Sequence, residues 1–103
     1  MKITRPGKVE NLLEQVDKCI EKGEYQFTRH ALERQKERLL SLQDILYVLK
    51  HGYHEKSKDS WDEAFSAWNY SIRGKALDNE DVRIVVSFDK DGLLIITVIR
   101  LDK

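Results

Sequence analysis

The chain has 103 residues, 41% of them apolar, and 18 basic residues balance 18 acidic ones. This suits one modest domain with a single core. It excludes a membrane-spanning helix, since no stretch approaches the ~20 uninterrupted apolar residues one needs, and it argues against a general polyanion binder, which carries a basic surplus.

The charge is uneven along the chain. Residues 1–58 hold 12 Lys or Arg and 9 Asp or Glu, a net +3; residues 59–103 hold 6 and 9, a net −3. A local basic site on a neutral protein is the expectation. The N-terminus MKITRPGKVE has no apolar run behind its charges, so it does not read as a secretory signal. A lone cysteine, Cys19, excludes an internal disulfide. Together these point to a cytoplasmic protein.

Leu12, Leu13, Val16, Cys19 and Ile20 recur at helical spacing, and Gly23 is the expected stop. Tyr25 to Thr28 reads as a short edge strand, and Thr28 as the cap of a basic helix. In that helix His30, Arg34 and Arg38 form one stripe. Leu32, Gln35 and Leu39 lie on the other side, where the leucines are expected to be buried. Ser41 caps a third helix, with Asp44 at N3, and Gly52 ends it.

Beyond Tyr53 the period changes. Ala67 to Leu77 alternates as a strand, with Trp68, Tyr70 and Ile72 on one face and Asn69, Ser71 and Arg73 on the other. Residues 78–81 form a turn. Val82 to Phe88 and Leu93 to Leu101 are strands dense in β-branched residues, joined by a hairpin at Asp89-Lys90-Asp91-Gly92. The expected fold is α+β: three N-terminal helices on one face of a C-terminal antiparallel sheet of three to four strands.

Phosphate-binding glycine loops, dinucleotide fingerprints and paired-cysteine metal sites are missing, and the spacing of His30, His51 and His54 fits no standard metal site. What remains is a set of cationic and hydrogen-bonding side chains: His30, Arg34, Arg38, Lys56, Arg73, Arg83 and Arg100, with Trp68, Asn69 and Tyr70 interleaved. Counting by twos, Arg83 shares a face with Val85 and Ser87, the solvent side if Val82, Ile84 and Val86 face the core. In the last strand Arg100, Val98, Ile96 and Leu94 share a face, and the pattern does not resolve which way it points. The bland alternative is a solvated helix whose arginines pair with Glu33 and Glu37.

Gly23-Glu24-Tyr25, then Thr28-Arg29-His30-Ala31-Leu32-Glu33-Arg34, then Ser41-Leu42-Gln43-Asp44-Ile45 and a closing Gly52, together with the order of elements, resemble the bacterial RelE/ParE-like toxins of type II toxin–antitoxin systems. The MqsR-like branch is the most similar. The resemblance implies a single toxin domain over residues 1–103. It implies an mRNA endoribonuclease needing no metal or other cofactor, in which a ribose 2′-OH attacks the adjacent phosphate to leave a 2′,3′-cyclic phosphate. Its implied partners are mRNA, free or on the ribosome, and a cognate antitoxin protein; neither DNA alone nor a membrane is implied. Lys56 matches a lysine of the MqsR branch. Asn69 stands for a glutamine, Arg83 for a tyrosine and Arg100 for a lysine. Arginine is a poor proton carrier, so His30 is the candidate to move the proton. The implied catalytic set is thus Lys56, Arg83, Arg100, Asn69 and His30, with Arg34, Arg38, Arg73, Trp68 and Tyr70 binding RNA. The expectation stands on Lys56, Arg83 and Arg100 converging in one hollow. The alternative is a catalytically inactive, toxin-like interaction module.

Overall fold

The computed structural model describes residues 6–101; the first five residues of the charged leader, and residues 102–103, lie outside the described part. Three helices precede most of the sheet. Helix α1 is Leu12–Glu21 and turns at Gly23, and strand β1 is Tyr25–Phe27. Helix α2, Arg29–Glu37, starts where the Thr28 hydroxyl accepts from the Ala31 amide. Helix α3, Leu42–His51, starts at a reciprocal cap between Ser41 and Asp44. Both caps are those the sequence predicts. Then come β2 (Tyr53–His54), a single 3-10 turn (Lys56–Lys58), β3 (Ser60–Asp62), β4 (Ala67–Lys75), β5 (Asp81–Asp89) and β6 (Gly92–Arg100).

The α+β class holds, but the expected sheet does not. The sheet has six strands, in the order β1-β6-β5-β4-β2, with β3 also on β4. It is mixed, because β1 runs parallel to β6 and pairs Tyr25 with Leu93 and Phe27 with Ile95. The two short strands β2 and β3 were not expected; at two and three residues they are too short to show alternation. Both lie along one edge of β4, with the 3-10 turn between them.

One face of the sheet carries the helices. Leu12 and Val16 of α1, Ala31 of α2, and Ile45, Val48 and Leu49 of α3 form a single core with Tyr70, Ile72, Ile84, Val86, Ile95 and Val98. Helix α2 departs from expectation here. Its buried contact is Ala31, while Leu32 and Leu39 are exposed. The helix packs on β6 with Ala31 fully buried, and the polypeptide leaves it through Leu39 in a left-handed conformation (φ 55°).

A bulge in β6 explains a second departure. Val85 pairs with Thr97 but Val86 pairs with Ile95, so Ile96 is an extra residue. An extra residue reverses the alternation beyond it. Leu93, Ile95, Val98 and Arg100 therefore share the core face, in place of Leu94, Ile96, Val98 and Arg100. Thr28 secures the bulge: its amide donates to the Ile95 carbonyl and its hydroxyl to the Ile96 carbonyl, both at 3.0 Å.

Helix α3 ends against β4 with backbone on backbone. A Cβ on Gly52 would stand 2.5 Å from the Arg73 carbonyl oxygen and 2.6 Å from that of Val48. Neither oxygen can move without breaking its element. Gly52→Ala is therefore expected to destabilise the fold by at least about 2 kcal/mol, read as a lower midpoint in urea unfolding. An unchanged midpoint would show that this approach is not tight.

Candidate functional site

The helix-free face of the sheet holds the charged cluster. Register pairs Arg73 of β4 with Arg83 of β5, and Arg83 with Ile99 of β6. Partners in register share a face, so both guanidiniums lie on this side. Like charges directly opposite on neighbouring strands repel, and two carboxylates offset them. Glu55 follows β2, where its amide donates to the Ser71 carbonyl at 2.8 Å. That bond holds it over the edge of β4. Its carboxylate accepts from Arg83 through Nε at 2.7 Å and Nη2 at 3.1 Å, from Arg73 at 3.4 Å, and from the Ser71 hydroxyl at 3.0 Å. Asp81, at the start of β5, takes the other arm of Arg73 at 3.2 Å.

The electrostatics follow from this geometry. The Arg83 hydrogen bonds, more than any other contact, lower the Glu55 carboxyl to about 2, against the opposing effect of burial. Arg73 in the same way lowers Asp81. The cluster therefore holds an ionised carboxylate beside two permanently charged forks. A carboxylate can accept a proton, and guanidiniums can stabilise charge developing on a phosphate oxygen.

Of the residues expected to converge, the structure brings some together and separates others. Arg83 and Arg73 are neighbours. Arg100 lies on the opposite, core-bearing face: it pairs with Val82, donates to the Arg38 carbonyl at 2.7 and 3.2 Å, and meets Asp78 at 3.5 Å. There it caps the C-terminus of α2, where cations are favoured. Lys56 opens the 3-10 turn and lines a shallow hollow with Glu10, Glu14 and His54. His54 pairs with Ile72 and so belongs to the helix side. The single hollow formed by Lys56, Arg83 and Arg100 is therefore corrected: Arg83 and Arg100 are divided by the sheet itself.

Asn69 lies on the same face as Arg73, four residues along β4 and so roughly 13 Å away. It lines a groove with Thr28, Ser87, Leu94 and Ile96. His30 is exposed on the first turn of α2. Arg34 pairs with Glu37 at 2.7 Å and Arg38 approaches the same carboxylate at 3.9 Å. Tyr70 is 5% exposed and its hydroxyl accepts from the Val9 amide, so it offers no ring face to a base. Trp68 donates to the Pro6 carbonyl, lies edge-on to Trp61 and has the Lys8 ammonium over its ring.

Two carboxylates that matter carried no motif. Glu55 sits in the unremarkable run Glu55-Lys56-Ser57-Lys58. Asp59 is fully buried on its side chain and binds His54 at 2.7 Å, the Ser71 amide at 3.0 Å and Lys8 at 3.1 Å. The usable signal was indirect: Arg73 and Arg83 inside strands require counter-charges. Among the described residues no group of three or more His, Cys, Asp or Glu is arranged to hold a metal ion. No helix among them is long and apolar enough to cross a membrane.

The low Glu55 value has a consequence for stability. A depressed carboxyl stabilises the fold fully above its unfolded value of 4.5, and that contribution drains away as pH falls towards 2. Wild type should lose roughly 2–3 kcal/mol over this window from Glu55. Glu55→Gln should already be weaker at pH 7 and should show a much shallower slope between pH 4.5 and 2. Unfolding followed by circular dichroism at stepped pH checks this; parallel slopes for the two proteins would refute the pairing.

Comparison with known proteins adds a family and no activity. No curated protein matches the chain. One family model, described as a domain of unknown function (DUF4258), matches residues 27–100, from the end of β1 through α2, α3 and the rest of the sheet. The match covers most of the chain, which therefore belongs to the DUF4258 family.

Proposed function

We propose that this protein is the toxin of a type II toxin–antitoxin pair, an mRNA endoribonuclease of the kind its resemblance to the RelE and MqsR toxins implies, with its reaction centre at Glu55, Arg73 and Arg83. One observation carries the reading: a carboxylate and two arginines lie within hydrogen-bonding distance on a face that no helix covers. These groups supply the attack without a metal: Glu55 takes the 2′-OH proton, the 2′-oxygen bonds to phosphorus as the bond to the 5′-oxygen breaks, that oxygen leaves with a proton from water, and the arginines stabilise the charge on the phosphoryl oxygens. Glu55 is ionised at neutral pH and so available to accept the proton. Its basicity is weak while both arginines bind it. A substrate phosphate that takes over their N–H groups would restore it, so substrate binding would itself switch on the base.

A second reading has support of its own. Glu55 already occupies both guanidiniums, and the same face carries the half-buried aliphatic residues Val85, Leu94, Ile96 and Ile99. A neutral, partly apolar face suits a protein partner, as in a toxin relative that has lost its activity.

Purified protein incubated with RNA in EDTA separates the two. The nuclease reading expects fragments ending in 2′,3′-cyclic phosphate, with the rate falling about 100-fold or more in Glu55→Gln and in Arg83→Lys. The same substitutions should relieve growth arrest on expression. If folded wild type leaves RNA intact, both free and in a translating extract, the nuclease reading is overturned and the interaction module stands.

A further inference from the structure

A cleft beside the Glu55 cluster has no role so far. It lies where α3 ends against β4, encloses about 490 Å³, and has Gly52 and Gly74 at its base. That volume falls within the range of about 300–1,000 Å³ typical of small-ligand sites. Its walls are aromatic and charged: Tyr47, His51 and Tyr53 with Arg73, Lys75 and the Asp81 carboxylate between the two cations. Tyr47 is 40% exposed and Tyr53 54%, large values for rings lining a concave surface. The His51 ring lies 4.5 Å from that of Tyr47, tilted by 42°, so the two rings brace each other.

Arg73 joins this cleft to the reaction centre. One arm of its guanidinium meets Glu55 at 3.4 Å and the other meets Asp81, on the cleft side, at 3.2 Å. Lys75 reaches the same Asp81 at 3.6 Å. A ligand in the cleft is thus one side chain away from the carboxylate. The two glycines let α3 and β4 approach backbone to backbone beneath the cleft: a Cβ on Gly74 would stand 2.9 Å from the Gly52 Cα.

We infer that this cleft is a nucleotide subsite, holding one unpaired RNA base against Tyr53 and the Tyr47–His51 pair, with the adjoining phosphate on Arg73 and Lys75. The inference rests on the nuclease reading of the neighbouring cluster. Aromatic stacking holds single-stranded bases in a sequence-tolerant way. Two cations supply a phosphate contact without giving the protein a net positive charge. The subsite would place the next phosphate along the strand over Arg73 and Arg83, in line with Glu55.

The test uses a short single-stranded RNA with 2′-O-methyl riboses, which lacks the attacking hydroxyl, and an abasic oligonucleotide of equal length. Fluorescence anisotropy reads binding to wild type, Tyr47→Ala, Tyr53→Ala and Tyr53→Phe. Tyr53→Ala should weaken binding of the methylated RNA roughly 5- to 100-fold, while Tyr53→Phe keeps wild-type affinity. Wild type should bind the abasic strand about as weakly as Tyr53→Ala binds the RNA, and Tyr53→Ala should not weaken it further. Both tyrosines are exposed, and circular dichroism confirms that the variants fold. Affinities within twofold of wild type in both alanine variants, or no oligonucleotide binding at all, overturn the subsite. Cleavage of unmodified RNA that ignores Tyr47 and Tyr53 overturns the subsite alone. Tyrosine-dependent binding without cleavage supports the subsite and overturns the nuclease reading.

Discussion

The helix-free face is organised by one carboxylate. Glu55 accepts four hydrogen bonds, from Arg83 twice, from Arg73 and from Ser71. Without it, two guanidiniums would face each other across adjacent strands with only Asp81 to balance them. With it, β2, β4 and β5 are tied together by side chains as well as by their ladders. Any ligand with negative charge must compete with that carboxylate for the same donors. The cluster is therefore structural at rest, and the proposed chemistry would require an external anion to displace an internal one.

A bulge decides which side chains of β6 reach each face of the sheet. Ile96 is the residue out of step, and Thr28 holds it, its amide donating to the Ile95 carbonyl and its hydroxyl to the Ile96 carbonyl. The same hydroxyl then caps α2. One residue thus secures the bulge in β6 and the start of a helix. With the phase set this way, Arg100 caps α2 from the core side and cannot reach the helix-free face. The electrostatic centre must then come from β4, β5 and the loop after β2.

Two features lead towards nucleic acid and one leads away from it. The paired arginines with an ionised carboxylate are suited to phosphoryl chemistry, and the aromatic cleft beside them is suited to an unpaired base. The neutral cluster and its aliphatic surroundings suit a protein. The proposed toxin role accommodates both, because an antitoxin would have to cover the surface that meets RNA.

Much of this was legible in the linear pattern. Helix caps at Thr28 and Ser41, the stop at Gly52, the alternation of β4 and the β5–β6 hairpin all follow from local chemistry, because each depends on residues within a few positions of one another. The placement of Arg83 on the open face follows too, since β5 has no irregularity. The sequence did not disclose β2 and β3, whose two and three residues gain their hydrogen bonds only from β4. Nor did it disclose the parallel pairing of β1, or the bulge that sends Arg100 to the other face. Glu55 stayed hidden for the same reason: its role is set by partners 16, 18 and 28 residues further on. Local propensity determined the elements; which charges meet was decided by strand register, a long-range property that no short window of sequence contains.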